Sequence, residues 1–238
     1  MPPPAGPQHP PTGAPQARPR GASGLLGVLM LDTRFPRLVG DIGNPATFDF
    51  PLRYAVVCGA SPRRVVHERD PALLEPFIAA ARRLVDEQGA AAIMTSCGFL
   101  VLWQRELQAA LPVPVFTSSL LLLPELAHAG VVTVDGAALT AAHLRAAGAA
   151  VDTPVEGLAP GCALQRTLLD DLPELDGADA EREVVEAALR LVRRVPALRH
   201  IVLECTNLPP YAGAVRRATG REVHDITTLI AQRFGARG

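Results

Sequence analysis

Two apolar segments of the chain end alike, each at a polar residue followed by a cysteine. Residues 91–98 read AAIMTSCG and residues 200–207 read HIVLECTN. A short apolar run of this kind is typical of a buried parallel strand, and the carboxyl ends of such strands are where α/β folds bind their ligands. The repeated pattern therefore predicts two thiols, Cys97 and Cys205, that face one cleft from opposite sides.

The rest of the chain alternates between strand and helix patterns. Residues 70–89 carry apolar side chains at helical spacing between a capping aspartate and a terminal glycine, and residues 178–195 repeat this spacing before the second cysteine strand. Such alternation predicts an α/β fold with mostly parallel sheets and helices on both faces.

The spacing of the cysteines indicates how the chain is divided. They are 108 residues apart, close to half of the ordered chain, so we expect two pseudosymmetric Rossmann-like lobes with the active site between them. The first lobe is predicted to comprise residues 25–115 together with 207–238, and the second residues 116–206. Residues 1–24 are rich in proline and glycine and cannot bury enough apolar surface to fold, so they are predicted to form a disordered tail.

Composition excludes several classes of partner. Hydrophobic residues make up 48% of the 238 residues, which is enough for a sizeable core, but aromatic residues make up only 4% and the formal net charge is -1. Nucleic-acid binding is therefore not expected, since it requires a basic surface or stacking platforms. No uninterrupted apolar run approaches about 18 residues, so no membrane span is expected, and we predict a cytoplasmic protein.

The four cysteines do not have the spacing of a metal site. Cys58, Cys97, Cys162 and Cys205 form no CxxC pair, and a chain of this size with a full core does not need a disulfide scaffold. We predict four free thiols and no metal. Cys58 is interpreted as structural and Cys162, in a Pro-Gly loop, as incidental.

The turns that follow the two strands suit acid–base chemistry on a small acid. An unperturbed thiol has a pKa of about 8.5, and a helix N-terminus favours the thiolate. Exposed backbone N–H groups at the same turns bind carboxylates. One thiolate could remove a proton from a carbon next to a carbonyl while the other thiol returns a proton to the opposite face, with no cofactor. For either cysteine alone, a small buried core residue remains the simpler interpretation.

Short or polar residues at the strand ends are the further candidates for substrate binding. Asp32 could hold an ammonium group or form a turn, and Glu204 could deprotonate a thiol or pair with an arginine. Arg53 is a second candidate, beside Arg34, for binding a carboxylate, and His224 could approach the cleft. The predicted substrate-binding set is Asp32, Thr33, Arg34, Thr95, Ser96, Gly98, Glu204, Thr206 and Asn207.

These motifs resemble those of the aspartate/glutamate racemase superfamily, which also contains hydantoin racemases, maleate isomerases and arylmalonate decarboxylases. The resemblance covers nearly the whole chain from Leu25 and assigns the two family cysteines to Cys97 and Cys205. It implies two α/β lobes and cofactor-independent chemistry. The chain departs from the racemase pattern at Gly98-Phe99, where Asn-Thr is common, and at Asn207, where glutamate racemases carry histidine, so a pocket of different shape is expected.

The sequence thus predicts a cofactor-independent racemase or isomerase of an amino acid or related small carboxylate, with two catalytic cysteines. Two alternatives stay open: a decarboxylase or cis–trans isomerase of a dicarboxylate on the same fold, and a non-catalytic small-molecule-binding protein. The expected partner is a small carboxylate, and a homo-oligomer is compatible with the sequence.

Overall fold

The computed structural model of the protein describes residues 24–234, which form two four-stranded parallel sheets. The strand order is β2-β1-β3-β4 in the first sheet and β6-β5-β7-β8 in the second. The strands are β1 (Leu25–Leu31), β2 (Leu52–Val57), β3 (Ala90–Thr95), β4 (Val115–Phe116), β5 (Ala129–Thr133), β6 (Val155–Gly157), β7 (His200–Leu203) and β8 (Glu222–His224). The predicted two-lobe α/β fold is confirmed.

Helices connect the strands. They are α1 (Leu74–Asp86), α2 (Gln104–Ala109), α3 (Ala141–Ala146), α4 (Ala163–Leu169), α5 (Gly177–Arg194), α6 (Ala212–Thr219) and α7 (Ile226–Arg233). Asp70 and Asp176 accept hydrogen bonds from backbone N–H groups at the starts of the turns that lead into α1 and α5, which satisfies donors that a helix N-terminus leaves free. No helix within residues 24–234 combines the length and the apolar character needed to span a bilayer.

The two sheets have the same arrangement around their cysteine strands. In the first, β1 pairs on one side with β2 and on the other with β3, and in the second, β5 pairs with β6 and β7 in the same way. Cys97 therefore follows β3 and Cys205 follows β7, at equivalent positions. Parallel strands buried on both faces are nearly all apolar, as β1 is along its whole length.

The C-terminal segment packs with both lobes, because it adds a strand to the second sheet and a helix to the core of the first. Strand β8 pairs with β7 of the second sheet. Helix α7, by contrast, packs through Ile226, Leu229 and Ile230 on the same core cluster as Leu26 and Val28 of β1. The predicted grouping of residues 207–238 with the first lobe thus describes α7 but not β8. The tail predicted over residues 1–24 lies, apart from Gly24, outside the described residues.

Candidate active site

Cys97 and Cys205 line the same cavity, which lies between the carboxyl ends of the two sheets and encloses about 370 Å³ when its part open to solvent is counted. Ser96, Gly98, Glu204 and Asn207 complete its polar side. Its remaining lining is apolar and comes from both sheets and from the segments that cover them: Leu31, Phe35, Pro62, Val66, Phe99, Val134, Leu168 and Leu169. The cavity is thus small, largely apolar and polar only around the two thiols.

Cys97 sits where β3 gives way to a short 3-10 helix, Gly98–Trp103. Burial and then the Glu204 carboxylate raise the pKa of the Cys97 thiol to about 12, and the backbone N–H groups of Phe99 and Leu100, which donate toward its sulfur, oppose this rise. Donors fixed in the backbone stabilise a thiolate once one forms. Two such donors act on Cys97, whereas one, from Asn207, acts on Cys205.

The hydrogen bonds of Cys205 differ from those of Cys97. Its pKa is raised well above the usual value, first by burial and then by Glu204, and its thiol donates to Asn207 Oδ1 over 3.4 Å. Asn207 is fixed in turn by donating through Nδ2 to Asp41, which also accepts from Arg37 at 3.0 Å. An amide oxygen accepts a hydrogen bond but does not take up the proton, so this series of hydrogen bonds keeps Cys205 protonated.

Glu204 is a fully buried carboxylic acid that acts electrostatically on both cysteines. Its Oε2 accepts a hydrogen bond of 2.6 Å from Thr133 Oγ1, whereas its Oε1 is buried and has no hydrogen-bond partner. Burial raises the pKa of Glu204 to about 7, against a smaller lowering by Thr133. An unpartnered buried acceptor is costly, which indicates that this oxygen serves the site rather than stability.

Gly98 provides the space for that carboxylate. A Cβ atom at position 98 would lie 2.2 Å from Glu204 Oε1 and 2.6 Å from the Glu204 backbone oxygen, distances that carbon and oxygen do not reach without rearrangement. The departure from the racemase pattern at this position therefore has a physical reason: glycine lets the second strand end approach the first.

We expect Gly98→Ala to displace Glu204, to lower turnover at least about tenfold and to destabilise the fold by about 1–3 kcal/mol. Gly177→Ala is the matched control, since the nearest atom to a Cβ there is 3.7 Å away in ordinary contact. Turnover and urea unfolding of both variants check this. Wild-type turnover in Gly98→Ala would show that the position of Glu204 does not matter.

Three of the predicted polar residues fix the turns around the cavity, and one of them, Thr206, joins the two lobes. Thr206 Oγ1 donates to the Ser96 backbone oxygen over 2.6 Å, which joins the two cysteine turns. Ser96 Oγ accepts from the Leu31 backbone N–H at 2.9 Å, and Thr95 Oγ1 donates to the Thr117 backbone oxygen at 2.6 Å. Among these, Ser96 lines the cavity and the other two support its walls.

The residues after β1 have structural partners. Asp32 accepts from the Gly59 backbone N–H at 2.9 Å, and Thr33 accepts from Arg37 at 3.0 Å. Arg34 is exposed and pairs with Asp171, whose carboxylate also accepts from the Arg34 backbone N–H at 2.6 Å. None of the three is among the described residues that line the cavity. The Arg34–Asp171 pair instead joins the segment bearing Phe35 to the loop after α4, which follows Leu168 and Leu169, so these apolar parts of the cavity lining are held together.

The other candidates lie outside the cavity lining. Cys58 is exposed, Cys162 immediately precedes α4, and Arg53 donates to the neighbouring backbone. His224 contacts His200, at the start of β7 and away from Cys205. Within residues 24–234 the four cysteines are free thiols, as predicted.

The sequence analysis did not identify two groups of residues, the apolar side chains that cover the cavity and the charged side chains that fix Asn207. Phe35, Leu168 and Leu169 line the cavity, and Asp41 and Arg37 fix Asn207, yet none was a candidate. A signal existed only for Asp41, which stands in the loop-like stretch Gly40-Asp41-Ile42-Gly43-Asn44. Its burial to 2% exposure was not visible in the sequence.

Solved structures of known enzymes share this fold. Arylmalonate decarboxylase superposes with a TM-score of 0.61 at 20% identity, covering 90% of this chain and 94% of its own. Glutamate racemase of Bacillus anthracis gives a TM-score of 0.51 at 16% identity, covering 88% and 79%. No family model matches the sequence. The chain therefore has the fold of arylmalonate decarboxylase and of the glutamate racemases, which are enzymes.

Sequence relatives identify the family to which the chain belongs. A dimethylsulfoniopropionate lyase of Durusdinium is 30% identical over 226 residues, which cover 90% of this chain and 74% of that protein. Dimethylsulfoniopropionate lyase 7 of Emiliania huxleyi is 31% identical, covering 85% and 64%, so the chain spans about two thirds to three quarters of these relatives. The chain belongs to the dimethylsulfoniopropionate lyase family, and its curated relatives are lyases rather than the racemases that the sequence analysis favoured.

Proposed function

We propose that the protein is a cofactor-independent lyase that removes a proton from the carbon next to a carboxylate and expels a sulfide from the adjacent carbon, with dimethylsulfoniopropionate as the substrate. The observation that carries this proposal is a largely apolar cavity with a single buried carboxylate, Glu204, between two thiols. The named activity of the relatives supports the same reaction.

The lining suits a methylated cation better than an amino acid. An ammonium group carries N–H donors that must each find an acceptor when buried, whereas a dimethylsulfonium group has none and presents methyl groups. Phe35 and Phe99 bring aromatic rings to the lining, and such rings attract poorly hydrated cations. Glu204 supplies the compensating negative charge. The substrate carboxylate would meet the backbone N–H groups of the two cysteine turns.

The reaction then needs one base. The Cys97 thiolate takes the proton from the α-carbon, so an S–H bond forms as the C–H bond breaks. The released electron pair becomes the carbon–carbon double bond of acrylate, and the β-carbon–sulfur bond breaks with its electrons staying on sulfur. Dimethyl sulfide leaves as a neutral molecule and requires no proton, so an acid is not obligatory on the leaving group.

Glu204 and Cys205 support that base. Glu204, beside both thiols, accepts the proton of Cys97 when the cationic substrate is bound, so the compensating negative charge passes from the carboxylate to the thiolate. After the products form, Glu204 releases this proton to solvent, which balances the one proton that each turnover sets free. The Cys205 S–H, which donates to Asn207 Oδ1 in this structure, turns to the developing enolate-like charge during the reaction and stabilises it by donating a hydrogen bond.

The test is release of dimethyl sulfide by the purified chain, measured by gas chromatography with acrylate quantified in parallel. We expect stoichiometric dimethyl sulfide and acrylate from dimethylsulfoniopropionate, unchanged in Cys58→Ser. An absence of both products, with the protein folded, would remove the lyase proposal.

Racemisation is the second candidate, because two thiols line one cavity and a two-base inversion uses both. Deuterated water separates the reactions: a racemase places deuterium at the stereocentre of recovered amino acid, and the proposed lyase leaves a panel of amino acids unlabelled.

A further inference from the structure

A second cluster of chemically active side chains lies outside the cavity. His200 begins β7, and Glu222 and His224 are the first and last residues of the neighbouring strand β8. Register pairs His200 with Glu222, and alternation along β8 directs Glu222 and His224 to the same face of the sheet. The pairing of two strands thus brings two imidazoles and a carboxylate together.

The separations between the three ligand atoms fit a small metal ion. His200 Nδ1 lies 3.1 Å from His224 Nε2 and 3.3 Å from Glu222 Oε2, and the distance between His224 Nε2 and Glu222 Oε2 is 3.9 Å. A point almost in the plane of this triangle is about 2.0 Å from all three atoms, which matches zinc bonds to histidine and carboxylate of about 2.0–2.2 Å.

The surroundings allow an ion to enter and stay. The two histidine side chains are 20% and 13% exposed, whereas that of Glu222 is 73% exposed, so the imidazoles are held by packing and one side stays open to solvent.

We propose that His200, Glu222 and His224 form a binding site for a divalent transition metal ion of the zinc type, with water in the fourth position. The ion would link β8, a three-residue edge strand, to β7. The site uses none of the cysteines, and it lies at the opposite end of β7 from Cys205, so it is a structural site independent of the lyase chemistry.

The experiment is a competition titration of the metal-free full chain with Zn²⁺ against a chromophoric chelator, with thermal unfolding followed in parallel. We expect one site per chain with micromolar or tighter affinity, and a melting temperature raised by Zn²⁺. His224→Ala and Glu222→Gln should each weaken binding at least about tenfold and abolish the thermal shift. Glu222→Gln keeps the test valid if the histidine variant does not fold, because that side chain is exposed.

His67→Ala is the matched control, since His67 also contacts a carboxylate, Asp135, at 3.1 Å but lacks a third ligand. It should bind Zn²⁺ as the wild type does. Cobalt(II) in place of zinc identifies the ligands, because thiolate ligands add a charge-transfer absorption that imidazole and carboxylate lack. Unchanged affinity in Glu222→Gln, a thiolate signature, or no binding in the micromolar range would each overturn the proposal.

Discussion

Replacing Cys97 by serine is expected to lower turnover of dimethylsulfoniopropionate by roughly 10³-fold, the largest catalytic effect of a single substitution in this chain. A serine hydroxyl is a much weaker acid than a thiol in the same place, so Glu204 cannot generate the anion and the base is lost; a positioned base contributes roughly 10²–10⁴-fold. The backbone donors from Phe99 and Leu100 cannot compensate, because they stabilise a charge that no longer forms. Steady-state release of dimethyl sulfide measures the effect.

Cys205→Ser separates the lyase from a two-base enzyme. We expect it to lose only about 10- to 100-fold, since the serine hydroxyl can still donate a hydrogen bond and the leaving group needs no proton. Cys58→Ser, an exposed thiol, should retain full activity. Equal and complete loss in both cavity variants would favour the two-thiol racemase mechanism, and retained turnover in Cys97→Ser would exclude Cys97 as the base.

Glu204→Gln is expected to lower turnover and to raise the stability of the folded protein. The amide keeps the size of the side chain and can still accept from Thr133, but it cannot take up a proton, so turnover should fall roughly 10²-fold. The wild-type rate should rise as pH increases through about 7, where Glu204 ionises, and this step should be absent from the variant.

The stability effect follows from the same pKa. Burial raises the pKa of Glu204 from 4.5 to about 7, so the folded state resists ionisation. The contribution of Glu204 to stability is fully present below pH of about 4.5 and is lost as pH rises through about 7. Glu204→Gln should match the wild type at the acidic end and exceed it by up to about 3 kcal/mol above pH 7.

Urea unfolding at pH 4 and pH 8 measures this difference, and Glu106→Gln, at an exposed position on α2, is the control that should change neither turnover nor stability. A Glu204→Gln variant that turns over normally would disprove the proposed proton transfer. One that is destabilised equally at both pH values would show that Glu204 is an ordinary structural carboxylate.

The sequence was sufficient for the parts of the protein that depend on local pattern. Alternating strand and helix periods predicted the two sheets, and the ends of the two cysteine strands predicted which thiols meet. Each of these depends on residues a few positions apart, or on the rule that parallel strands present their carboxyl ends at one edge. Glu204 was among the candidates for the same reason, because it directly precedes Cys205.

Contacts between distant segments could not be predicted in this way. Asp41 reaches Asn207 across 166 positions of the chain, and Asp171 reaches Arg34 across 137. Strand β8 is only three residues long, which is too short for its apolar pattern to show which sheet it joins. Its pairing with β7 places it in the second sheet. The three-residue pattern that made Asp32, Thr33 and Arg34 candidates was local, whereas the partners of Asp32 and Arg34, Gly59 and Asp171, lie 27 and 137 positions away.

A crystal structure with the trimethylammonium analogue of dimethylsulfoniopropionate, whose leaving group is too poor to be expelled readily, tests the central claim most directly. The account predicts one molecule in the cavity, with its α-carbon in contact with the Cys97 sulfur, its carboxylate at the turns after β3 and β7, and its methyl groups against Phe35 and Phe99. A ligand bound elsewhere, or one whose α-carbon contacts neither thiol, would contradict it.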